Sequence, residues 1–220
     1  MTYTHTLADP RVRTALDRMF AHAEQDDAVA ARVDAELPGG RGPLSPLEHA
    51  DAAAEIYMPI SAAAGGLLYN LVRAVRPTTI VEFGMSFGIS TLYLAAAVRD
   101  NGTGRVVTTE LSKDKIAAAR RTFAETGLDD LITVLEGDAR ETLRDLDGPA
   151  DFLLLDGWKD LCLPVLQLLE PRLRPGTLVV ADDIVLSSLQ PYLDYVRNPE
   201  NGYHNVTFPV EDGLEISCRL

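Results

Sequence analysis

Cysteine, tryptophan and positive charge are scarce in this sequence. Its 220 residues hold two cysteines, Cys162 and Cys218, far apart and without a C-x-x-C pair. That argues against a thiolate zinc site and against a disulfide-stapled secreted fold, so both are expected to be small buried hydrophobes. Basic residues number 20 against 33 acidic ones, a formal net charge of −13. Such a balance speaks against nucleic acid as a partner and against a grip on an anionic membrane surface. The longest apolar runs, such as 92–98 and 116–119, fall far short of the roughly 20 residues that span a bilayer. The N-terminus shows no apolar signal core, and a cytoplasmic protein is expected. G-x-S-x-G, P-loop and H-E-x-x-H elements are missing, and His5, His22, His49 and His204 share no metal-ligand spacing.

Hydrophobic residues make up 46% of the chain and charged ones 24%, enough apolar material for one self-sufficient domain with a small appendage. Residues 1–57 read as a helical extension. Leu7, Val12, Leu16, Met19 and Phe20 recur at helical spacing, Val29 and Val33 suggest a second short helix, and the run from Pro38 to Pro43 breaks the pattern. Ser45, with Pro46 after it and Glu48 three residues on, predicts a capped helix stopping near Pro59. A further helix follows Ser61 and ends before Pro77.

From there short apolar runs alternate with helical stretches, the mark of a parallel sheet covered by helices. Strands are predicted at 79–83, 105–110, 132–135, 151–156 and 177–182, with helices near 88–99, 112–126, 139–145, 160–173 and 188–197. Two β-prone runs at 205–210 and 214–220 flank Asp212-Gly213, a strong hairpin signal. The expectation is therefore an α/β fold: a Rossmann-like, doubly wound seven-stranded sheet, mostly parallel, closed by a C-terminal antiparallel hairpin.

Chemistry concentrates at the predicted strand ends. Val81-Glu82-Phe83-Gly84-Met85-Ser86-Phe87-Gly88 runs from strand through two glycines into a helix, where a nucleotide-like ligand sits in such sheets. The spacing is not G-x-G-x-x-G, and Glu82 would repel a pyrophosphate while suiting a cationic ligand, so a nicotinamide oxidoreductase is disfavoured. A tight turn without a ligand is the alternative. Glu110 is placed to accept hydrogen bonds from both hydroxyls of a ribose, or is an ordinary cap neighbour. Asp138 suits an adenine edge, a helix cap, or both. Asp156 follows Leu153-Leu154-Leu155, and Asp182-Asp183 follow Leu178-Val179-Val180-Ala181. Neighbouring parallel strands would bring these three acids together as a hard-oxygen site suited to Mg²⁺, unless each is simply a solvated loop residue. Lys159, three residues beyond Asp156 and beside Trp158, would have a lowered pKa near a divalent cation and so accept a proton; a plain surface lysine is the competing reading.

Taken together, these residues resemble class I S-adenosylmethionine-dependent methyltransferases, more closely the divalent-metal O-methyltransferases typified by catechol O-methyltransferase and its caffeoyl-CoA relatives. The likeness runs from about residue 58 to the C-terminus. V-E-F-G-x-x-x-G-x-S, L-D-G-W-K-D, L-R-P-G-T-L-V-V-A-D-D and the late D-G-L-E carry it. It implies S-adenosylmethionine as cofactor, with Met58, Ile60, Glu82, Gly84, Ser86 and Ser90 around its methionine part. Glu110 would hold its ribose, and Asp138, Ala139, Arg140 and Trp158 would border its adenine. It also implies Mg²⁺ or another divalent cation on Asp156, Asp182 and Asp183, Asp156 serving the cofactor as well, and Lys159 as the catalytic base. The acceptor would be a small molecule with vicinal oxygens, and residues 1–57 would cover its entrance or build a homodimer contact. A metal-independent methyltransferase and a non-catalytic cofactor-binding protein are the rival readings. Five positions depart from the family pattern: Asp183 stands for asparagine, Ser86 and Ile89 for tyrosines, Ile56 for a substrate-wall tryptophan, and Val206 for a glutamate that would bind a catechol's second hydroxyl.

Overall fold

A computed structural model describes residues 5–36 and 44–220. Helices α1 (Pro10–Ala23), α2 (Asp26–Glu36) and α3 (Pro46–Ala52) form the N-terminal extension, and α4 (Ala62–Val75) leads into the sheet. The alternating part then runs β1 (Thr79–Phe83), α5 (Ile89–Asn101), β2 (Arg105–Glu110), α6 (Lys113–Thr126), β3 (Ile132–Glu136) and α7 (Ala139–Thr142). It continues with β4 (Ala150–Leu155), α8 (Cys162–Leu169), β5 (Leu173–Ala181) and α9 (Gln190–Arg197), and ends in β6 (Tyr203–Phe208) and β7 (Leu214–Arg219). Among the described residues no helix is long and apolar enough to cross a membrane.

The seven strands lie in the order β3-β2-β1-β4-β5-β7-β6. The first five are parallel, and β7 enters antiparallel between β5 and the edge strand β6. Both faces are covered, so successive residues are buried rather than alternately exposed: all five of β1, Glu82 included, and all of β4 but Asp151. On one face Leu68, Leu92, Leu94, Phe123 and Phe152 pack beneath α1, α4, α5 and α6; on the other Leu143, Leu153, Val165, Leu166 and Tyr192 pack beneath α7, α8 and α9. Each such side chain contributes roughly 1.5–3 kcal/mol by leaving water. The chain reverses its winding between β1 and β4, and in such sheets ligands bind in the crevice this leaves at the strands' C-terminal ends. There the two strand ends touch. A Cβ on Gly84, whose φ is +93°, would stand 2.5 Å from the backbone of Gly157, so only glycine fits.

Several boundaries differ from the sequence expectation. The capping box is present, with Glu48 N donating to Ser45 Oγ and Ser45 N donating to Glu48 Oε2. The helix nevertheless stops at Ala52, well before Pro59. The amides of Tyr57 and Met58 are given to the carboxylate of Asp26 at 2.8 and 2.7 Å instead of to a helix, and Met58 adopts φ +45°. Helix α8 ends at Leu169 and β5 starts at Leu173, because Leu173 pairs with Ala150 across an irregularity before regular pairing resumes at Leu178. Cys162 is buried as expected, whereas Cys218 is only half-buried. The break from Pro38 to Pro43 lies outside the described residues.

Candidate active site

The turn after β1 and the end of β2 build one wall of a cavity of about 580 Å³. Ser86, at φ +49°, turns its N–H onto Glu110 Oε2 at 2.8 Å, and Glu110 Oε1 accepts the amides of Leu111 and Ser112, both at 2.8 Å. Three backbone donors thus fix this carboxylate at the cavity wall, and Oε2, which takes one of them, keeps a lone pair free. Met58, Ile60, Gly84, Ser86, Ser90, Asp138, Ala139, Asp156, Trp158, Lys159 and Asp183 line the same cavity. From α3, His49 and Ala50 complete the wall, with the His49 ring edge-on to Trp158 at 5.4 Å.

Three residues of the expected set stand outside this wall: Asp182, which lines a second cavity beside it, and Glu82 and Arg140. Glu82 is completely buried beneath it, Oε2 accepting from Thr91 Oγ1 at 2.5 Å and Thr108 Oγ1 at 2.6 Å, while Oε1 has no partner. Burial pushes its carboxyl from the ordinary 4.5 to about 7, against the lowering effect of the hydroxyls around it. Arg140 folds back onto Asp138 at 2.6 Å, holding that acid below its usual range. Asp138 itself caps α7 through the amide of Arg140 and still lines the cavity.

At the other end the register of β4 on β5 pairs Leu155 with Ala181, so the next residues, Asp156 and Asp182, leave the sheet side by side. Asp182, Asp183 (φ +58°) and Asp156 each place a carboxylate oxygen within 4.8 Å of the others. Burial, then the charges of Asp156 and Asp183, push Asp182 from 3.8 to about 7. The Lys159 ammonium reaches Asp156 Oδ1 at 2.8 Å and Asp183 Oδ2 at 3.0 Å. Burial works against its charge, but the two carboxylates outweigh that and hold Lys159 above its ordinary range. The lowered pKa expected from the sequence is therefore corrected for this arrangement: a second cation on the same oxygens is what would favour the neutral amine. Three carboxylates against one ammonium leave an excess of negative charge in a half-buried cleft, and a hard divalent cation fits this donor set. A second cavity of about 290 Å³ opens beside the acids, walled by Met58, Pro59, Asp156, Asp182, Asp183, Glu211 and Asp212.

The raised pKa values of Asp182 and Glu82 make a signed prediction. Each carboxyl holds its proton in the folded chain up to about pH 7 but loses it near pH 4 when unfolded. Between those values the folded state binds more protons, so stability falls as pH rises. Thermal unfolding of the cation-free, cofactor-free protein should therefore show Tm dropping from pH 5 to pH 7.5. A Tm that rises over this range contradicts the electrostatics described.

Sequence reasoning missed Lys115, Tyr57, Phe87 and Glu211. Lys115 lines the cavity 98% buried, donates to Ser86 Oγ at 3.0 Å, and is pushed down to about 8 by burial. A cation in the first turn of α6 opposes the helix dipole, which was the available sign that it serves another partner. Val206 projects from β6 56% exposed and Ile56 is buried, and neither lines the two cavities.

This strand order, with a glycine turn after β1 and an acid at the end of β2, is that of a class I methyltransferase domain. A family model described as a methyltransferase domain matches residues 81–184. Catechol O-methyltransferase B of Danio rerio is 29% identical over 191 residues, covering 80% of this chain and 71% of that one. A catechol O-methyltransferase of Mycobacterium tuberculosis is 31% identical, with 71% of each chain covered. Against the mouse and cattle enzymes of that name the chain spans about half of their length. The fold is shared with an O-methyltransferase from Bacillus cereus solved with SAH, at TM-score 0.66 and 21% identity, covering 90% of this chain and all of that one. The chain belongs to the S-adenosylmethionine-dependent O-methyltransferase family.

Proposed function

We propose that the protein transfers a methyl group from S-adenosylmethionine to a hydroxyl of a small molecule bearing vicinal oxygens, with a divalent cation such as Mg²⁺ held by Asp156, Asp182 and Asp183. The meeting of these carboxylates with Lys159, at the junction of the two cavities, is the observation that carries this reading. The cofactor supplies an electrophilic methyl group on a sulfonium; the cation supplies the charge that acidifies a bound hydroxyl. Glu110, already fixed by three amides, receives the ribose hydroxyls, and Asp138, Ala139 and Trp158 border the adenine. The methionine end lies along Met58, Ile60, Gly84, Ser86 and Ser90. Asp156 faces both cavities and so serves the amino group of the cofactor as well as the cation. Glu82, one layer below, supports the cavity wall through Thr91 and Thr108 without lining it, and Arg140 acts through Asp138. Lys159 holds the acceptor's proton at Nζ, and burial of the site strengthens each of these interactions.

Because Val206 and Ile56 stay off the cavity walls, the acceptor's second oxygen and ring meet different neighbours from those of a plain catechol site. Residues of α3 on the wall support a covering role for the N-terminal extension.

The double ion pair of Lys159 favours one alternative, a metal-independent transferase in which the ammonium alone neutralises the acids. An assay of labelled methyl transfer from S-adenosylmethionine to a panel of catechols and other vicinal diols, with and without chelator, tests both. Transfer that requires the cation is the expected result. Full transfer in chelator overturns the metal role, and tight cofactor binding without transfer to any acceptor overturns the catalytic reading.

A further inference from the structure

Tyr57 is held from every side. Its N–H donates to Asp26 Oδ1 at 2.8 Å, and the next amide, that of Met58, donates to Asp26 Oδ2 at 2.7 Å. Its carbonyl accepts from Ser86 Oγ at 2.6 Å, a hydroxyl that in turn accepts from Lys115 Nζ at 3.0 Å. The Tyr57 ring stacks on Phe87 with centroids 4.0 Å apart, and its hydroxyl meets His22 Nδ1 at 3.1 Å. Asp26 is the first residue of α2, and His22 lies in α1. The clamp therefore ties the N-terminal extension to the glycine turn on which the cofactor cavity is built. What it fixes is Met58, which takes a left-handed φ of +45°, a conformation that a non-glycine residue keeps only when its surroundings impose it. Met58 lines both cavities, as do Pro59, Asp156 and Asp183. It stands on the partition between the acids and the space assigned to the cofactor.

We infer that Asp26 is a positioning residue for the cofactor site: from the extension, its carboxylate sets the Tyr57–Met58 backbone and so places Met58 at the junction of the two cavities. Both amide bonds go to a carboxylate, the stronger kind of hydrogen bond. Asp26 acts through Met58 and Ser86, and the inference rests on these two as cofactor neighbours. It goes beyond that reading in making residues far upstream of the methyltransferase domain part of cofactor recognition.

The test has two readouts. Amide hydrogen exchange at Tyr57 and Met58 in the ligand-free protein reports the clamp alone, and calorimetry with S-adenosylhomocysteine reports cofactor affinity. Asp26→Ala should abolish protection at both amides and raise the cofactor Kd about tenfold, with kcat at saturating cofactor changed by less than about threefold. Asp26→Asn keeps one carbonyl acceptor and should fall between wild type and Asp26→Ala; it also serves if the alanine variant fails to fold. Lost protection with an unchanged Kd overturns the inference, and so does protection that survives the substitution. If the wild-type chain binds no S-adenosylhomocysteine, it is the cofactor reading that fails, and the exchange data still judge the clamp.

Discussion

Replacing Lys159 with methionine is expected to lower kcat by about 10²–10⁴-fold, the range for a lost general base, while cofactor affinity stays within about twofold. The side chain is nearly buried and bonds to Asp156 and Asp183, whereas Glu110 is held by backbone amides that Lys159 does not touch. Lys159→Arg separates proton transfer from charge. Arginine keeps the positive charge but does not give up its proton near neutral pH, so a base role leaves this variant as slow as the methionine one. If arginine restores more than about a third of wild-type turnover, Lys159 is a counter-ion and the base lies elsewhere.

The second large effect is expected at Asp182, with opposite signs in two measurements. Asp182→Asn removes one of three charges from the cation site and should cut turnover by about 10³-fold, since charge stabilisation by the metal is worth several kcal/mol. The same change should raise the Tm of the cation-free protein. Burial, and then the like charges of Asp156 and Asp183, push the Asp182 carboxyl to about 7, so a neutral amide relieves a standing penalty. Below about pH 4 the carboxyl is protonated in the folded and unfolded chain alike and the variant gains little; the gain grows from there and is complete above about pH 7. Loss of both turnover and stability at pH 7.5 would mean that Asp182 serves the fold and not a bound cation.

How far the sequence carried this picture depended on whether a signal was local. The ends of β1 and β2 match the sequence reading to the residue, because β-branched residues (Thr79, Ile80 and Val81; Val106 to Thr109) dominate each and a glycine turn or an acid cuts it off. The seven-stranded sheet with its antiparallel hairpin follows from the same alternation and from Asp212-Gly213. The start of β5 was hidden because exposed Arg174, Pro175 and Gly176 look like a loop, although Leu173 pairs with Ala150. The three aspartates were legible because strand register converts "first residue after a buried run" into a shared location. The charge state of Lys159 was not legible, since it depends on two distances that spacing does not encode. Asp26 was invisible for a related reason: its partners are amides 31 and 32 residues downstream, in a segment without periodicity. Lys115 gave a weaker sign, a cation placed against the helix dipole.

The central claim is that three aspartates at adjoining strand ends share one cation beside the cofactor cavity. Calorimetric titration of Mg²⁺ into the wild-type chain at pH 7.5, in the presence of S-adenosylhomocysteine, measures it directly. One cation bound per chain, with binding lost in Asp182→Asn, is the predicted result. A wild-type titration that shows no saturable site, or a site unchanged in Asp182→Asn, contradicts the account.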